Sequence, residues 1–314
     1  MGKAAALAIV FLAWPARAQE PPVPDWARIE AVEVKAQPGP AVWRLTRGNS
    51  EVWLLGTVGV MPKDLDWNKQ YLSDLLDGAR AILMPPKADI GLVDIAWFLL
   101  MHGGELSLPH GQKLEDGLPE ALRARFVTAR SAVSDDAGDY ATDIPIRAAI
   151  RLQQDMMRRN SWTGREPNET IAGLARRKRI ADDPVTRFGA MDAVRDILRL
   201  SPEQQRACLS EAVDDVNWSL AHAERAARAW AVGDIKGVKA NYSESRLGDC
   251  VMAAVHAFAD IEARSIADTS AAIDAALNRP GKTIVVVGMR PLLKRGGVLE
   301  RLQAMHVAIE APAE

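Results

Sequence analysis

Val52-Trp53-Leu54-Leu55-Gly56-Thr57-Val58-Gly59-Val60 is an apolar run with almost no polar side chain. A short run of this kind reads as a strand covered on both faces. It closes on two glycines, where a backbone turns sharply or comes close to a ligand. Thr283-Ile284-Val285-Val286-Val287-Gly288, near the other end, has the same character. Together they predict an α/β fold: one central mixed sheet built from both ends of the chain, with a large helical insertion between. Ligands of open α/β sheets bind at the carboxyl ends of the strands. An active site is therefore expected near residues 57–60 and 289–291.

Working outward, Trp43 to Arg47 alternates and Gly48-Asn49-Ser50 supplies turn chemistry, which predicts a hairpin into the central strand. Trp67 to Gly78 has helical spacing, and Arg80 to Met84 reads as a short strand stopped by Pro85-Pro86. Helices are expected over 90–101, 119–130, 144–159, 168–178 and 191–200. Asp143 and Pro145 look like a helix start. Ser201-Pro202-Glu203-Gln204 is a capping-box start for a helix running to Ala231, broken by Gly233-Asp234. A bent helical stretch over 247–277, a helix over 297–305 and a strand over 306–309 complete the order.

With 314 residues, 25% of them charged, and a net charge of -2, the chain has an ordinary globular composition. That balance argues against a broad nucleic-acid surface, which needs a basic excess. Met1-Gly2-Lys3, the apolar run Ala4 to Trp14 and Ala16-Arg17-Ala18 fit a secretory signal, with cleavage expected after Ala18. Residues 1–18 are thus read as a signal peptide, 19–40 as an extended proline-rich leader, and 41–314 as a single domain. The expected location is periplasmic or secreted, with no transmembrane span in the mature chain. In an oxidising compartment Cys208 and Cys250 favour a disulfide over two buried thiols. The five histidines show no i, i+4 ligand pair, and no G-x-S-x-G elbow or phosphate loop is present. Arg176-Arg177-Lys178-Arg179 reads as a solvated helix end.

The residues at the two strand ends carry a resemblance. Gly56-Thr57-Val58-Gly59 resembles the first signature, G-[TS]-x-H, of the TraB/PrgY/GumN family, the group that includes the Tiki-like metalloproteases. Gly288-Met289-Arg290-Pro291-Leu292 resembles its late signature, G-x-x-H-L, followed by the loop Gly296-Gly297. Ala79 to Pro85 resembles the family's second strand, which ends in Glu, and Trp230-Ala231-Val232-Gly233-Asp234 its W-x-x-G-D segment. The likeness runs from about Pro40 to Pro312. It implies an α/β core under a helical cap, with a metal held and used by two histidines and a glutamate.

Here those positions read Gly59, Pro291 and Pro85, none of which offers a donor atom. No metal or other cofactor is therefore expected. The reading is a fold kept and a metal-dependent hydrolase lost, leaving an exported binding or accessory protein. The alternative is a peptidase-like hydrolase using other residues. Gly56, Thr57, Gly59, Gly288 and Arg290 are the expected ligand-binding set. Arg290 supplies a cation where the family holds a metal, with a small anionic ligand or an unidentified protein as partner.

Overall fold

The computed structural model describes residues 39–89, 100–101, 103–189, 191–242 and 245–312. The expected signal peptide, nearly all of the expected leader and most of the helix expected over 90–101 lie outside them.

Val42–Arg47 (β1) and Ser50–Thr57 (β2) form the expected antiparallel hairpin, with Gly48 at φ 57 in its turn. Met61–Pro62 (β3), Lys69–Leu76 (α1), Ala79–Met84 (β4) and Lys87–Asp89 (β5) follow. The helical part holds Glu120–Val133 (α2) and Pro145–Arg159 (α3), then Trp162–Thr163 (β6) and Asn168–Lys178 (α4). Ala181–Pro184 (β7), Arg187–Gly189 (β8) and Met191–Leu198 (α5) lead into the long Pro202–Ala231 (α6). Ile235–Asn241 (α7), Arg246–Ala254 (α8) and His256–Leu277 (α9) precede Gly281–Gly288 (β9). Met289–Leu293 (α10), Val298–Ala304 (α11) and Ala308–Glu310 (β10) close the chain.

The six-stranded sheet runs β10-β1-β2-β9-β4-β7. The β2, β9, β4 and β7 pairings are parallel, while β1 and β10 add an antiparallel edge. β9 is buried through its middle, whereas the first half of β2 alternates, leaving Glu51 and Trp53 half-buried. β3 pairs with β6 and β5 with β8 as small separate ribbons.

One edge strand does not come from either end of the chain. Ala181-Asp182-Asp183-Pro184 pairs with β4 from the middle of the sequence. Its two aspartates and proline suit an exposed edge, where charge and a missing N–H deter further pairing. That composition also hides it from a search for apolar runs.

Helix boundaries follow local chemistry. Ser201 and Gln204 form the reciprocal capping box that starts α6. Asp143 does not cap α3; its side chain instead takes Arg147 at 3.1 Å and Arg151 at 2.6 Å. The bend expected after 247 falls at Val255, between α8 and α9. Two apolar cores result: one sandwiches the sheet, and the other joins α2, α3 and α6 with Val255 and Leu247.

Candidate functional site

Parallel pairing brings the three positions singled out by the sequence resemblance to one edge of the sheet. β2 ends with Thr57 opposite Gly288 of β9, and β4 runs beside β9 as far as Leu83 opposite Val285. Gly59 follows β2, Pro85 follows β4, and Pro291 lies in α10 directly after β9. Three neighbouring carboxyl ends thus present glycine and proline where a divalent metal needs imidazole or carboxylate. These residues do not fit a metal. Among the described residues no group of three or more His, Cys, Asp or Glu side chains could hold one either.

The other expected ligand contacts are placed differently from one another. Gly56 is a packing position: a Cβ there would meet the Met289 side chain at 2.8 Å and Trp43 at 3.2 Å. Thr57 is buried and donates from its hydroxyl to the Val287 carbonyl at 3.4 Å. Gly288 lies against the Pro291 ring. Arg290 is largely shielded and pairs with Asp249, and with Glu262 at 3.4 Å. Its charge is met from within the chain, so it does not stand as the free cation the sequence suggests. Of this set, Gly59 lines one cavity, and Arg290 lines a second, more open one of about 400 Å³. The cavity at Gly59 is the more enclosed.

That cavity measures about 440 Å³, within the range of small-molecule sites. Gly59 and Val60 line it just beyond β2, and Met156, Met157 and Gln153 of α3 form one wall. Trp218 and Asp215 of α6 and Tyr242 beyond α7 form the other. Trp218 is itself fixed: its ring stacks on His222 with centroids 3.9 Å apart, and its N–H donates to the Asn241 carbonyl at 3.3 Å.

Asp215 is the one carboxylate lining the cavity among the described residues, and it is only 4% exposed. Its oxygens accept from the Leu247 and Arg246 backbone N–H groups at 2.9 Å each, from Gln153 Nε2 at 3.0 Å and from the Ser245 hydroxyl at 3.3 Å. Burial pushes its pKa up, while the Leu247, Arg246 and Ser245 hydrogen bonds pull it back. The arrangement ties the start of α8 to α6. Cys208 and Cys250 reinforce the tie, with sulfurs 2.03 Å and Cα atoms 5.4 Å apart, the geometry of a disulfide. No sequence motif marks Asp215, because its role arises from a partner helix met thirty residues later.

A family model, described as the TraB/PrgY/gumN family, matches residues 41–311. The chain belongs to this family. No curated protein and no solved structure matches it. In this TraB/PrgY/gumN chain the W-x-x-G-D segment has a structural explanation. Trp230 is buried, donates from its indole N–H to the Gly56 carbonyl at 2.7 Å and packs edge-on against Trp67. Gly233 leaves α6 at φ 78, a conformation that favours glycine. Asp234 then caps α7 by accepting the Gly237 N–H at 2.8 Å. The segment therefore clamps the helical part onto the end of β2, a few residues before Gly59 of the cavity lining.

Proposed function

We propose that this TraB/PrgY/gumN-family protein is exported, has lost metal-dependent hydrolysis, and acts by binding a ligand in the cavity beside Gly59. The carrying observation is the coincidence at one sheet edge: three neighbouring strand ends offer no donor atom, yet a cavity of ligand size persists next to one of them. A hydrolase of the expected type needs a metal to activate water, and Gly59, Pro85 and Pro291 supply none of its ligands. Export rests on the basic, apolar and small-residue pattern of residues 1–18. No helix among the described residues is long and apolar enough to cross a membrane.

The test is elemental analysis of purified protein after incubation with manganese, cobalt and zinc, alongside a peptide-cleavage assay with and without chelator. The expected result is metal well below one equivalent and no chelator-sensitive cleavage. Stoichiometric metal with chelator-sensitive turnover overturns the reading in favour of a hydrolase that uses other residues. Export is checked separately by mass: the mature chain should begin at Gln19.

A further inference from the structure

Resting on that reading, we propose that the cavity takes an uncharged ligand with an apolar body and a few amide- or hydroxyl-type groups, and discriminates against both anions and cations. Its apolar surface comes from Met156, Met157, Trp218 and Val60, together with Ala223 and Ala226. Its polar surface is supplied by neutral groups: the amides of Gln153, Gln154 and Asn241 and the hydroxyls of Ser219 and Tyr242. Amides and hydroxyls both donate and accept, and so match a neutral polar group of either sense.

Charge recognition needs an available counter-charge, and among the described lining residues none is presented. The carboxylate of Asp215 is buried and already takes four hydrogen bonds from Gln153, Ser245, Arg246 and Leu247. A cationic ligand would have to compete with those donors. An anionic ligand would meet Asp215 with no guanidinium or ammonium on the described lining to balance it. Arg290 lines a separate, more open cavity of about 400 Å³, where Asp249 and Glu262 hold it. An ion moved into such a site loses hydration without compensation, whereas an apolar body of the same shape gains from leaving water. Met156 and Met157 add adaptable, polarisable contact to that body.

Three probes sharing one ring system separate these cases: neutral naphthylacetamide, anionic naphthylacetate and cationic naphthylethylamine. Each is titrated into the full-length protein carrying carbon-13 methionine methyls, with the Met156 and Met157 signals assigned by Met156→Leu and Met157→Leu. The amide should shift both methyl signals and bind at least about tenfold tighter than either ion, equivalent to about 1.4 kcal/mol. Ala223→Phe, which fills the cavity, should abolish the shifts. Gln154→Lys at the exposed rim, a variant that spares the packed wall, should move the preference towards the carboxylate by about tenfold. Equal or tighter binding of either ion, or no methyl shift with the amide, overturns the proposal. Chelator-sensitive peptide cleavage would instead overturn the non-hydrolytic reading, an outcome these probes do not register.

Discussion

Asp215→Asn tests how the wall of the cavity is held. Oδ1 accepts one backbone N–H, from Arg246, while Oδ2 accepts from Leu247 N–H, Gln153 Nε2 and the Ser245 hydroxyl. An asparagine keeps most of this by leaving its carbonyl oxygen in the Oδ2 position. Its NH2 then faces the Arg246 N–H, so one donor loses its acceptor, at about 1–3 kcal/mol. The three remaining bonds also lose their charge assistance, each weakening by a fraction of a kcal/mol. Removing a buried charge offsets part of this, because burial is the leading influence on Asp215. Because burial is the larger influence, the net expectation at neutral pH is a loss of no more than about 1 kcal/mol, read by urea denaturation. The pH dependence carries the sharper sign. With the folded pKa raised above the ordinary carboxylate value, the native state holds the extra proton. Its contribution is therefore full at low pH and declines as pH rises through the folded pKa. The wild-type advantage over Asp215→Asn should shrink from acid towards neutral pH. An advantage that grows with pH over that window would mean that the hydrogen bonds outweigh burial, and would refute this account.

Reduction of the Cys208–Cys250 bond, which spans a sequence separation of 42, should cost about 4 kcal/mol in urea denaturation of oxidised against reduced protein. Gly59→His with Pro291→His should not create metal-dependent turnover, because Pro85 still supplies no carboxylate; elemental analysis and a peptide assay check this. Arg290→Ala should destabilise by about 1–3 kcal/mol, since Asp249 and Glu262 lose a shielded partner, and Arg290→Lys should restore only part, as measured by urea midpoint. Tyr140→Phe should cost about 1–2 kcal/mol on the same assay, because the buried Asp155 loses the phenol donor; in wild type, burial pushes that phenol up to about 12, visible by ultraviolet titration.

The parts of the fold legible in the sequence are those fixed by nearest neighbours. The Gly48-Asn49 turn, the Ser201 capping box and the apolar β9 each carry their instruction within a few residues, and each forms as expected. Elements fixed by distant partners do not read this way. β7 is a strand because β4 lies beside it, although its own residues are charged. Asp143 sits where a cap would, but two arginines of the following helix claim it first. The same holds at the site. Position along parallel strands was enough to gather Gly59, Pro85 and Pro291 at one edge. The direction of the Arg290 side chain depended on Asp249 and Glu262, which no spacing rule connects to it.

The glycines show which residues belong to the scaffold and which to the chemistry. Gly56 is favoured by packing, because a Cβ there would come within 2.8 Å of the end of the Met289 side chain, which would have to shift, and 3.2 Å of Trp43. Gly297 is required: a Cβ would meet the Lys294 carbonyl at 2.6 Å and the Pro291 carbonyl at 2.7 Å. Gly59 is under no such constraint. A Cβ there meets nothing nearer than the Tyr242 hydroxyl at 3.9 Å, and its backbone is not in the left-handed region. The fold would accept a side chain at position 59, so the missing imidazole is not a demand of packing. Scaffold and chemistry occupy different residues on the same strand end, only a few positions apart. A side chain at position 59 is therefore separable from the strand end itself, which Gly56 anchors by accepting the Trp230 indole N–H.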